Sequence, residues 1–142
     1  MSTQARTVSR RREDDDPAEA VDAMLRSYVA VLRGRDLDGA LALFAEDATL
    51  IGSEPGVSAH SVDQLRALHT RMFAEPVTYG WEWERPVATR HGDVVWFAVE
   101  ATWVIEGPGG DELPYRLSGV LYRDPAKRWL FELFNGSRPI SR

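Results

Sequence analysis

Polar and apolar positions change their period twice along the chain. Residues 1–16, MSTQARTVSRRREDDD, hold no apolar stretch, and three arginines run into four acids. Such a segment predicts a disordered tail, and its neighbouring charges cancel too well for a nucleic-acid arm. From there Val21, Met24, Leu25, Tyr28, Val31 and Leu32 recur at helical spacing. Asp16 is placed to cap this helix, Pro17 suits its first position, Glu19 completes a capping box, and Gly34 supplies a stop. A second helix is expected after Arg35-Asp36, capped by Asp38, with Leu41, Leu43 and Phe44 on its apolar side. Ala48 to Ile51 reads as a short strand, broken by Gly52, Pro55 and Gly56. A third helix is expected over about 62–75, with Leu65, Leu68, His69 and Met72 on one stripe and Pro76 at its end.

After Pro76 the period falls to two. Strands are expected over about 77–90, 93–106, 113–123 and 128–136. His91-Gly92-Asp93 marks a tight turn, Gly107 to Asp111 a longer loop, and Arg123 to Lys127 the last turn. Connections this short join antiparallel neighbours, because parallel strands need long crossovers. Helices first and strands last define an α+β domain over residues 17–142. A sheet curled around helices leaves a conical interior, the usual shape of a ligand pocket.

Composition narrows the function. With 44% hydrophobic residues in 142, one domain can bury a real core. Lys+Arg number 17 against 22 Asp+Glu, which argues against a broad nucleic-acid surface. No apolar run approaches the ~20 residues that span a bilayer, and the first 20 positions do not read as a secretory leader. A cytoplasmic protein without membrane attachment is expected. Cysteine is absent, which removes thiolate chemistry and disulfides. His60, His69 and His91 are scattered, so no metal site and no cofactor are expected.

Three stretches carry a family likeness. Tyr28 to Thr49, YVAVLRGRDLDGALALFAEDAT, is similar to the opening helices of bacterial ketosteroid isomerases. Ile51 to Gly56, IGSEPG, resembles the strand exit of SnoaL-like proteins. Tyr122 to Trp129 and on through Asn135-Gly136-Ser137 resembles the closing hairpin of SnoaL-like domains and of the kinase association domain of the same fold. Over about 21–139 the chain thus resembles the NTF2-like superfamily, in its SnoaL-like and ketosteroid-isomerase-like branch. The resemblance implies an NTF2-like (cystatin-like) α+β cone, with three N-terminal helices packed in a curved antiparallel sheet. It also implies a homodimer joined through the outer sheet face.

Residue by residue, the resemblance is incomplete. Tyr28 matches the first-helix tyrosine that donates to a developing enolate in ketosteroid isomerases. Their proton-shuttling aspartate falls at Gly52 here, and their protonated late-strand aspartate at Gly119. Glycine offers no base, so the usual steroid isomerisation is not expected.

Other carboxylates could take over. Glu100 interrupts a strand that is apolar on both faces, and such strands are covered on both faces. The resemblance suggests that its even-numbered face, Val94 to Val104, lines the cone. Glu100 would then sit in an apolar cavity with a raised pKa suited to acid–base work. Glu54 lies on the loop at the expected mouth, and His69 is a helical proton shuttle of near-neutral pKa. The bland readings remain beside these: an arginine partner for Glu100, water around Glu54, and core hydrogen bonds for Tyr28 and His69. Trp96, Leu68, Met72 and Leu117 would form the apolar wall, with Asn135 and Trp83 as further ligand contacts. The implied activity is cofactor-free acid–base chemistry on an apolar small molecule: cyclisation, isomerisation or dehydration. A non-catalytic binding or dimerisation module of the same fold is the alternative.

Overall fold

The computed structural model describes residues 16–140. The tail expected over 1–16 lies outside the described residues except for Asp16. That residue's carboxylate accepts from the backbone N–H groups of Ala18 and Glu19 and so caps α1, Pro17–Arg33. Of the predicted stripe, Val21, Met24, Leu25, Tyr28 and Leu32 are buried and Val31 is half-buried, while Val29, outside that stripe, is buried as well. Beyond Gly34 the chain turns through Arg35, whose φ is 50°.

The next segment differs from expectation. The second helix, α2, spans only Leu37–Leu41, and its cap is Asp36, which accepts from Gly39 N–H. Phe44 already opens strand β1, Phe44–Ile51, four residues ahead of the expected start. Leu41, Leu43 and Phe44 therefore do not share a helix face. A two-residue strand, β2 (Ser58–Ala59), pairs back on β1. Ser61 caps α3, Val62–Phe73, by accepting from Gln64 N–H, while the Gln64 side chain accepts from His60 N–H.

The first expected strand is two strands. Glu84, Arg85 and Pro86 separate β3, Thr78–Trp83, from β4, Val87–His91. β3 pairs with residues 101–106 of β5 (Val94–Glu106), and β4 with residues 94–98 of the same strand. β6, Asp111–Arg123, and β7, Trp129–Ser137, complete the sheet. Its order is β2-β1-β7-β6-β5-β3, with β4 also beside β5. All pairings are antiparallel except β1 with β7, which run parallel.

The result is an α+β cone: a large curved, open sheet around a few helices. Tyr28, Leu25 and Leu32 from α1 and Leu65 from α3 meet Phe97, Leu117, Leu121 and Phe131 of the sheet, all but completely buried. Burial of each such side chain is worth about 1.5–3 kcal/mol. No helix among the described residues is long and apolar enough to cross a membrane.

The two faces of β5 are the reverse of the expectation. Val95, Phe97 and Val99 are buried, while Trp96, Ala98 and Glu100 are exposed. Rows across the sheet continue this outer face. Thr89, Trp96, Val120, Leu133 and Thr49 form one row, and Val87, Ala98, Ser118, Asn135 and Ile51 form the next.

Candidate ligand-binding site

A cavity of about 210 Å³ opens between the helices and the inner face of the sheet. α1 contributes Tyr28, the end of β1 contributes Leu50, and the loop after it contributes Gly52, Ser53, Glu54 and Val57. Met72 comes from α3 and Glu75 from just beyond it. Tyr79, Trp81, Trp103, Tyr115, Phe134 and Gly136 come from β3, β5, β6 and β7. The space exceeds the ~150 Å³ that accepts benzene in an engineered core.

The walls form a continuous set of rings. Tyr79 stacks on Trp103 at 5.7 Å, Trp103 meets Tyr115 at 5.1 Å, and Trp81 meets Tyr28 and Phe134 at 5.7 and 5.5 Å. Two glycines permit this packing. A Cβ on Gly136 would stand 2.4 Å from the Tyr115 hydroxyl, and one on Gly52 2.5 Å from Val57 Cγ1.

At the inner end, the Tyr28 hydroxyl lies 2.8 Å from His69 Nε2, and His69 Nδ1 lies 2.8 Å from the Leu65 carbonyl. A carbonyl only accepts, so Nδ1 carries a proton. Burial pushes the pKa of His69 down, with the Leu65 bond opposing it, which favours the neutral ring. Nε2 is then an acceptor, and Tyr28 donates to it. The phenol itself is held protonated, its pKa pushed up by burial and by Tyr115.

At the mouth, Tyr79 donates to the Glu75 carboxylate. Burial, that bond and the charges of Glu75 and Glu54 push its phenol up to about 12. Tyr115 donates to Ser53 Oγ at 3.0 Å; burial raises its pKa, against the opposing pull of the Ser53 bonds. Glu54 is about half exposed, with Arg138 at 3.5 Å. The Trp81 indole N–H is buried in the wall and has no partner among the described residues.

Of the expected site residues, Tyr28, Glu54 and Met72 line this cavity. His69 stands behind Tyr28. Glu100 does not reach the site: it projects from the outer face, 80% exposed, and pairs across the strands with Arg116 at 3.2 Å. Trp96 is on the same outer face, as is Asn135, which donates to Ser118 Oγ. Leu68 and Leu117 are packed in the core outside the lining. Trp83 lies at the edge against α1, where its indole N–H donates to Asp22. Glu100 and Trp96 are displaced for one cause: the β5 face assigned to the cone is the outer one. Trp103 was missed because it lies on the β5 face assigned to the outside, although Trp81 and Trp83, alternating with Glu82 and Glu84, already signalled a neighbouring strand with both rings on one face. No group of three or more His, Asp or Glu among the described residues could hold a metal ion.

Comparison with known proteins agrees with this architecture. The SnoaL-like domain model matches residues 25–124, and the chain belongs to that family. Similar solved structures include ActVI-ORFA from Streptomyces coelicolor, with 16% identity and a TM-score of 0.70 over 83% of this chain and 93% of that one. A nuclear transport factor 2-like superfamily protein from Salmonella enterica has 14% identity and a TM-score of 0.74 over 88% and 92%. A ketosteroid isomerase-like protein from Erwinia carotovora has 16% identity and a TM-score of 0.70 over 89% and 99%. At these identities the likeness concerns the fold.

Proposed function

We propose that the cavity binds a small, largely apolar, ring-bearing molecule and that the protein acts on it by cofactor-free proton transfer, in an isomerisation, cyclisation or dehydration. The observation that carries this reading is the aromatic cavity with a carboxylate at its mouth and a hydroxyl at its inner end. Glu54 takes the role of proton-exchanging base, since Glu100 lies outside. Tyr28, fixed by His69, positions the ligand as an acceptor rather than as the donor that the isomerase resemblance implies.

Exchange of ligand C–H for solvent deuterium, followed by mass spectrometry over a panel of ring ketones and enols, tests the reading. Glu54→Gln is expected to slow exchange about 100-fold, and Glu100→Gln to leave it unchanged. Full exchange in the Glu54 variant removes that assignment. Binding without exchange favours the non-catalytic module, a reading that draws on the absence of a carboxylate at the inner end.

We further propose that the outer face joins two copies of the chain. Val87, Trp96 and Ile51 are 63%, 42% and 42% exposed there, beside half-buried Val120 and Leu133. Contiguous apolar surface of this kind marks an association site. Trp96→Lys is expected to turn a sedimenting dimer into a monomer; a monomeric unsubstituted protein removes the proposal.

A further inference from the structure

The cavity's polar groups are arranged for one kind of ligand charge. Three phenols line it, and each commits its O–H to a protein acceptor: Tyr28 to His69, Tyr115 to Ser53 and Tyr79 to Glu75. A ligand carbonyl or carboxylate therefore finds no free phenol donor. The Trp81 indole N–H has no accessible surface and is closed to a ligand without movement of the wall. No basic side chain lines the cavity. Arg138 is nearby, and its guanidinium is turned to Glu54.

What the cavity offers, beside the Ser53 hydroxyl that accepts from Tyr115, is acceptors and ring faces. The Glu75 carboxylate lies at the mouth, held only by the neutral phenol of Tyr79, and no basic group of the described residues pairs with it. Glu54 is the second carboxylate in the lining. Rings of Tyr28, Tyr79, Trp81, Trp103, Tyr115 and Phe134 surround the space. Ring faces attract cations through their quadrupoles, tryptophan and tyrosine most strongly, and the attraction grows where water is excluded. An anionic ligand would meet the opposite: two carboxylates and negative ring faces.

Resting on the reading of this cavity as the ligand site, we propose that its ligand is a small organic cation: a ring or compact hydrocarbon bearing a protonated amine. The hydrocarbon lies among Trp81, Tyr115 and Phe134, and the ammonium lies at the mouth against Glu75, beside Tyr79 and Trp103. The amine is the recognition group, which leaves Glu54 to exchange a proton elsewhere on the ligand.

Three water-soluble probes of one size separate the alternatives: benzylammonium, benzyl alcohol and benzoate, titrated at pH 7.5 with tryptophan fluorescence and ligand-observed NMR as readouts. Trp81 and Trp103 in the wall report occupancy directly. Benzylammonium is expected to bind about tenfold more tightly than benzyl alcohol, with benzoate weakest. Glu75→Gln is expected to abolish that preference while leaving the affinity for benzyl alcohol in place. If benzyl alcohol binds as well as benzylammonium, the cation proposal is overturned and the cavity reading stands. If no probe perturbs the fluorescence or the NMR signals, the cavity reading falls and the cation proposal with it. A preference for the cation that survives Glu75→Gln and Glu54→Gln also overturns the assignment to this mouth.

Discussion

Gly119→Ala is expected to destabilise the protein by about 3 kcal/mol or more, a fall of about 10 °C in melting temperature for a chain of this size. The reason is a backbone contact. A Cβ at position 119 would stand 2.1 Å from the Leu133 carbonyl oxygen and 2.9 Å from Phe97 Cζ. Phe97 could rotate, but Leu133 O belongs to the neighbouring strand at a place where the β6–β7 register already shifts, between Val120 and Leu121. Making room there means parting two central strands. Thermal unfolding of the variant checks the value, and an unchanged melting temperature would show that the bulge yields freely. The same contact explains why the carboxylate that the isomerase resemblance places at Gly119 is missing: no side chain fits beneath Leu133.

Tyr28→Phe is the second large effect. It leaves His69 Nε2, in a fully buried ring, with no donor. An orphaned buried acceptor costs about 1–3 kcal/mol. Removing both partners in Tyr28→Phe/His69→Leu should cost less than the two single substitutions added together, which the double-mutant cycle reads as their coupling. The pair also sets an acid limit. An unfolded histidine takes up its proton near pH 6.5, whereas the buried ring resists protonation to lower pH. Below about 6.5 the unfolded state therefore holds more protons, and stability falls as pH drops through the folded value. It is complete above pH 6.5. Melting temperature against pH, compared between the unsubstituted protein and His69→Leu, reads this directly: the slope between about pH 6.5 and 5 should flatten in the variant. An identical slope would mean that His69 is not its source.

These residues also show where sequence reading succeeds. The stripe of α1 and the cap at Asp16 follow from spacing and local chemistry, and both are present. The stripes of α1 and α3 placed Tyr28 and His69 on buried faces, and a buried protein group was one of the two expected partners for the Tyr28 hydroxyl. The failure on β5 has a physical origin. Val95, Phe97 and Val99 alternate with Val94, Trp96 and Ala98, and alternation carries no sign when both sides are apolar. A single reversal then moved Glu100 and Trp96 to the wrong side together. At Leu41 to Phe44 the same residues satisfy a helix face and a strand entrance, and pairing of Phe44 with Phe131, remote in sequence, decides for the strand. The break at Pro86 was readable from its missing N–H. The aromatic cavity was not, because its rings come from four strands whose mutual register no local pattern contains.

The parallel pairing of β1 with β7 has a consequence for biosynthesis. Among the described residues, β1 has two neighbours in the sheet, two-residue β2 and β7, the last strand. While the chain is emerging from the ribosome, residues 44–51 wait through the synthesis of everything up to Trp129 before they can be paired. Helices form locally and early, but this closure spans nearly the whole domain, and contacts of long sequence separation form slowly. During that interval β1 presents an unpaired edge, the kind of surface that recruits foreign strands. A premature stop ahead of residue 129 makes the interval permanent, and such a fragment exposes both β1 and the β6 edge that β7 would have covered. Completion of the C-terminal strand is the event that turns a nascent chain with two open edges into one sheet.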